Sequence, residues 1–321
     1  MYKEAPRSIS PEAQRVFEEF PKPSELPDLN DQLALRQFRQ QFKTETIQFN
    51  AQAGCSYEFQ TENIAGVRCL WITTPSCRKE AAPLIHLHGG YYIFGDPESC
   101  AGYMIRLAEL AGVPVLSIDY RLAPEHPFPA ALDDVVSVLH ALHDRKQPVC
   151  NLVLIGESAG GGLALSVAMS LRNNRETLPE ALILLSPWTD LTESGDTYLT
   201  LASHDPLMGK GSTQAVVKAY SASRDPSEPL ISPLFGNFEG LPPILIQAGS
   251  REVILSDSIR TARRARTAGV DVQLDIWDGM WHTFHFDQTT PEACEAISEI
   301  GDFISRYRSD QNLSHTETVP D

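Results

Sequence analysis

Cysteine is sparse in this 321-residue chain: its six occurrences, Cys55, Cys69, Cys77, Cys100, Cys150 and Cys294, include no Cys-x-x-Cys pair. Without that spacing neither a zinc site nor a disulfide framework is expected, and buried free thiols in a reducing compartment are the economical reading. Basic residues are also short. The 26 Lys and Arg against 42 Asp and Glu leave a net charge of −16, which argues against nucleic acid or an anionic membrane surface as a partner. No run of about eighteen apolar residues occurs, so no membrane span is expected. The opening Met1-Tyr2-Lys3-Glu4-Ala5-Pro6 lacks an apolar export segment, which points to the cytoplasm. Internal repeats are missing as well. What remains, 42% hydrophobic and 21% charged residues, describes a soluble globular protein.

The chain divides by pattern. Residues 1–48 read as helical: Ser10-Pro11 is a cap followed by proline at the first helical position, and 27–43 spaces Leu33, Phe38 and Phe42 at helical intervals. Strand-like runs near 67–73, 83–88, 114–119, 151–156 and 181–185 then alternate with helical patterns near 98–111, 130–144 and 160–172. That alternation predicts an α/β fold with a mostly parallel central sheet flanked by helices. From Ser186 to Pro233 the rhythm breaks into a polar stretch with Pro206, Pro226 and Pro229 and one helix near 211–222, which fits an inserted lid. Alternation resumes at 243 and ends in a helix that spaces Ile297, Ile300, Ile304 and Tyr307. The expected organisation is a core of 49–187 and 232–308, an inserted cap segment 188–231, and a disordered tail 309–321.

Leu152-Val153-Leu154-Ile155 runs straight into Gly156-Glu157-Ser158-Ala159-Gly160-Gly161. A short strand, Gly-x-Ser-x-Gly and a helix form the layout of a nucleophile elbow, where glycines flank a serine on a strained turn. Seventy residues upstream, Pro83-Leu84-Ile85-His86-Leu87 leads into His88-Gly89-Gly90-Tyr91-Tyr92. Acyl transfer from an ester builds negative charge on the former carbonyl oxygen, and backbone N–H groups aimed at it are worth ~2.7–4 kcal/mol each. Gly89, Gly90 and Ala159 are the expected donors of this oxyanion hole. Tyr91, Tyr92 and Glu157, beside them, are expected to line the substrate pocket.

His88-Gly89-Gly90, the block Asp119-Tyr120-Arg121-Leu122-Ala123-Pro124-Glu125-His126-Pro127-Phe128-Pro129-Ala130, and Gly156-Glu157-Ser158-Ala159-Gly160-Gly161 together resemble the hormone-sensitive-lipase-like branch of the α/β-hydrolases, which includes many bacterial carboxylesterases. The resemblance runs from about residue 65 to 307. It implies an α/β-hydrolase fold with a helical cap to which the N-terminal helices of 1–48 contribute, a Ser/acid/His triad, and a possible homodimer. The family's chain order is serine, acid, histidine. After Pro243-Ile244-Leu245-Ile246-Gln247 the aligned acid position is Glu252, where the family usually has aspartate; Asp257 is the alternative, or else supports the helix that begins there. After Val272-Gln273-Leu274-Asp275-Ile276-Trp277 the matching histidine is His282, with His285 as a rival beyond Phe284. His88 is expected to shape the oxyanion loop, and His126, His140 and His143 to be structural.

The resemblance implies a carboxylesterase that hydrolyses a small-molecule ester by two-step acyl transfer through Ser158, His282 and Glu252, with no metal or organic cofactor. Tyr91 stands where the family commonly has a third glycine, so short acyl groups and unhindered alcohols are expected. Two other readings stay open at this level. His-Gly-Gly-Tyr also resembles the oxyanion strand of kynurenine formamidases, which cleave an N-formyl amide. The plant gibberellin receptors resemble the chain too, but lose the histidine that this sequence keeps.

Overall fold

Leu84–Leu87, Val115–Ile118, Val153–Glu157, Ala181–Leu185 and Ile244–Gly249 are buried along their whole length. Such runs suit strands that are covered on both faces in a parallel sheet. In the computed structural model of the protein, which describes residues 4–20, 26–78, 80–145, 147, 149–208 and 213–314, they are β3 to β7 of an eight-stranded sheet. β1 (Glu58–Ile64) and β2 (Val67–Thr73) precede them and β8 (Val272–Trp277) follows. The order is β1-β2-β4-β3-β5-β6-β7-β8; β2 is antiparallel to both neighbours, and every pair from β4-β3 to β7-β8 is parallel.

The helices are α1 (Pro11–Glu19), α2 (Gln32–Thr46), α3 (Gly102–Ala111), α4 (Ala130–Asp144), α5 (Ala159–Asn173), α6 (Thr197–Thr200), α7 (Gln214–Ser221), α8 (Leu255–Thr267) and α9 (Pro291–Ser314). On one face of the sheet, Met104 and Leu107 of α3 meet Ile297 and Ile300 of α9. On the other, Val135 and Leu139 of α4, Leu163 and Val167 of α5, and Ala262 of α8 form the larger core. No helix among the described residues is long and apolar enough to cross a membrane.

Ser10 caps α1 by accepting the Ala13 N–H at 3.1 Å, as its position before Pro11 predicts. It also donates its own N–H and hydroxyl to the two carboxylate oxygens of Glu292 in α9, at 2.6 and 2.9 Å. Three elements depart from the pattern reading. β1 is polar and largely exposed, and exists because every residue from Glu58 to Ile64 pairs with β2. α6 is a single turn with no periodic signal. α9 continues to Ser314, into the stretch expected to be disordered, while 315–321 and Met1–Lys3 lie outside the described residues. The cysteines are free, but only Cys69 and Cys100 are buried; Cys150 is exposed and the rest are half-buried.

Register decides where the chemistry sits. Leu87 of β3 lies beside Gly156 of β5, Glu157 beside Leu185 of β6, and Gly249 of β7 beside Trp277 of β8. The segments that leave these strands, 88–92, 158, 186–190, 250–254 and 278–283, therefore emerge together at the carboxyl ends, where open α/β sheets place their ligand crevices.

Candidate active site

Ser158 sits between β5 and α5 with φ +54° and ψ −119°, a backbone conformation that costs a residue with a side chain about 1–3 kcal/mol. The turn is tight enough that a Cβ on Gly160 would fall 1.9 Å from the Leu87 carbonyl oxygen. Its backbone is pinned on both sides: the Ser158 N–H donates to Leu185 O at 2.9 Å, and its carbonyl accepts from Trp188 N–H at 2.9 Å.

His282 follows β8. Its Nε2 lies 3.0 Å from Ser158 Oγ and its Nδ1 lies 3.1 Å from Glu252 Oε2. With the proton on Nδ1 and donated to Glu252, Nε2 is left to accept from the serine hydroxyl. Ser158 and His282 are each 6% exposed and Glu252 is fully buried. Burial lowers the His282 pKa to about 4, against the opposing negative charges of Asp205 and Glu157, so the imidazole is neutral at pH 7 and its ring nitrogen is free to accept a proton. Burial also pushes the Glu252 carboxyl well up. An imidazolium formed at His282 is the partner that offsets this cost. Glu252 Oε1 has no hydrogen-bond partner; the Ser186 hydroxyl favours the charged form but does not meet hydrogen-bond geometry with it and instead accepts the Thr283 N–H at 3.1 Å.

The loop after β3 rests on a buried polar network. Glu157 Oε1 accepts the Gly89 N–H at 2.6 Å, and Oε2 accepts from the Tyr103 hydroxyl and from His86 Nε2, the latter at 2.9 Å. His86 Nδ1 meets Ser117 Oγ at 2.8 Å. Burial works to raise the Glu157 pKa, but the His86 charge and these hydrogen bonds outweigh it, and the net direction is down. Gly90, at φ +112°, turns the chain so tightly that a Cβ would lie 2.1 Å from Phe94 O. No hydrogen bond among the described residues takes up the Gly90 N–H. Ala159 opens α5, where the first N–H groups have no intrahelical acceptor. His88 stacks on Tyr120 at 4.2 Å and donates from Nδ1 to Gly89 O at 2.8 Å, which stiffens the same loop.

Comparison with known proteins agrees with this geometry. A description of the alpha/beta hydrolase fold matches residues 84–286. An acetyl-hydrolase of Streptomyces hygroscopicus is 37% identical over 228 residues, 71% of this chain and 76% of that protein. The solved structure of EstE5 superposes with a TM-score of 0.85 at 32% identity, covering 93% of this chain and 99% of that one. A solved esterase described as from the bacterial hormone-sensitive lipase family gives 0.83 at 33% identity, covering 94% and 99%. The chain belongs to the hormone-sensitive-lipase-like family of α/β-hydrolases.

Within this hormone-sensitive-lipase-like frame several expected residues take other places. Gly89 is not a free donor, because Glu157 already holds its N–H. Glu157 faces His86 and Tyr103 beneath the loop instead of a substrate. Tyr92 is 1% exposed and stacks face to face on Tyr220 at 3.8 Å, fixing α7 to the core instead of lining a pocket. Tyr91 is half-buried, its ring edge-on to Trp188 at 5.5 Å. Asp257 accepts the Thr189 and Asp190 N–H groups at 2.8 Å and the Tyr198 hydroxyl at 3.2 Å, so it anchors the start of the segment between β6 and β7 and is not hydrogen-bonded to His282. His285 bonds Gln247 Oε1 at 3.0 Å. Sequence reasoning missed Asp205 and Thr197, both of which contact the loop that carries Glu252. The only signal at Asp205 is an Asp-Pro pair, which marks a turn and nothing more.

Proposed function

We propose that this protein is a serine carboxylesterase for short, unhindered carboxylic esters, with Ser158 as nucleophile, His282 as general base and acid, and Glu252 as the orienting carboxylate. The observation that carries the reading is the continuous chain Glu252–His282–Ser158, at 3.1 and 3.0 Å, on a strained strand-to-helix turn. Ser158 Oγ attacks the ester carbonyl as Nε2 takes its proton, and the N–H groups of Gly90 and Ala159 receive the oxyanion. The tetrahedral intermediate collapses, the alcohol leaves with the proton from His282, and the acyl group stays on Ser158. Water, deprotonated by His282, attacks the acyl-enzyme; the acid leaves and Ser158 recovers its proton. These steps use only the named groups and water.

Tyr91 sets the substrate range. It directly follows Gly90 and its ring stands edge-on to Trp188; in this reading the ring takes volume beside the scissile carbonyl. The six free thiols suit a reducing cytoplasm. Ser158→Ala is expected to lower turnover of p-nitrophenyl acetate by at least about a thousandfold and to abolish fluorophosphonate labelling. Turnover above that residue, or a chain-length optimum at decanoate in an acetate–butyrate–decanoate series, contradicts the proposal.

A further inference from the structure

Among the described residues the Glu252 carboxylate has one partner within hydrogen-bond geometry, the imidazole of His282, with the Ser186 hydroxyl nearby. Its direction is therefore set by the backbone it hangs from, and that backbone is an irregular turn between β7 and α8. The next residue, Val253, is held at both ends of its backbone by side chains of the inserted segment. Its N–H donates to Asp205 Oδ2 at 2.9 Å, across 48 residues. Its carbonyl accepts from the Thr197 hydroxyl at 2.7 Å, and the Thr197 hydroxyl oxygen in turn accepts the Ser256 N–H at 2.9 Å.

Asp205 is built for this one position. It is fully buried, and its other oxygen accepts the N–H groups of Leu207 and Met208 at 2.9 and 3.0 Å, which fixes the carboxylate plane. Every partner is a donor. An asparagine would turn an NH2 group toward at least one of those N–H groups, in a fully buried site.

We infer that Asp205, with Thr197, is a positioning residue for catalysis: the inserted segment clamps the peptide of Val253 and thereby aims Glu252 at His282. The segment between β6 and β7 thus helps build the triad. This inference rests on the reading of Glu252 as the triad acid.

A double-mutant cycle tests it on the full chain with p-nitrophenyl acetate. Asp205→Asn is expected to lower kcat about tenfold to a hundredfold, the scale of a misplaced catalytic group, with KM within about threefold. In a Glu252→Gln background the same substitution is expected to cost less than about twofold, because there is no longer a carboxylate to aim. Thr197→Val, which keeps the shape and drops the hydroxyl, is expected to show the same coupling at about threefold to tenfold, and decides the matter if Asp205→Asn does not fold. Equal losses in both backgrounds, or a kcat within about twofold of wild type, overturn the clamp while leaving the triad intact. A Glu252→Gln protein with wild-type kcat and normal fluorophosphonate labelling overturns the triad acid, and the clamp with it.

Discussion

The two halves of the site are supported in opposite ways. On the side of the proposed oxyanion hole, Glu157 comes from the sheet itself, both its oxygens are partnered, and its donors Gly89, His86 and Tyr103 belong to the loop after β3, to β3 and to α3. On the acid side, Glu252 has a single side-chain partner, and its turn is tied to residues 197 and 205 of the insertion. One half is integral to the core; the other depends on a segment that interrupts it. In the proposed reading, a change to the segment between β6 and β7 spares Ser158 and its turn but has a consequence for Glu252.

Substitutions can break that contrast, beginning with the largest effect. Glu252→Gln is expected to lower kcat about a thousandfold with little change in KM and little loss of stability, since it removes one hydrogen bond to an imidazole whose tautomer then goes unset. Steady-state kinetics and a melting curve check this together. Glu157→Gln is expected to do the reverse in kind. It disturbs three buried donors at once, so the melting temperature falls clearly, and kcat/KM drops about tenfold to a hundredfold as Gly89 and the Gly90 N–H behind it shift. If Glu157→Gln leaves the melting curve unchanged, the core-built half of the contrast is wrong.

The smallest effect concerns pH. Burial depresses His282 to about 4 from its ordinary 6.5, so the base stays neutral well into acid. Activity is therefore present above that value and lost as pH falls through it. The acid limb of kcat/KM, measured where the fold is intact, is expected near 4; a limb at 6.5 or above indicates a site open to water in solution.

The same contrast explains what the sequence disclosed. The sheet, its helices, Ser158 and the candidates Glu252 and His282 were legible because each sits in a local pattern: an apolar run, a glycine turn, a short motif at a strand end. Gly89 and Glu157 were misplaced because a motif names residues without saying which N–H is already occupied; only the 2.6 Å bond between them does that. Tyr92 was misplaced because its neighbour in space, Tyr220, lies far along the chain. Asp205 left no usable trace, since its function is a contact with Val253 that no periodicity encodes. β1 was invisible for a similar reason, being a polar strand made by its partner.

The link between Ser10 and Glu292 has a consequence for the order of events in folding. Beside it, Phe17 and Phe20, at the end of α1, pack on Trp281 at 6.2 and 5.2 Å, directly against the residue before His282. A helix made early in synthesis therefore waits for one translated some 282 residues later before it finds its seat. Until then the loop bearing His282 lacks the aromatic backing that Phe17 and Phe20 give Trp281.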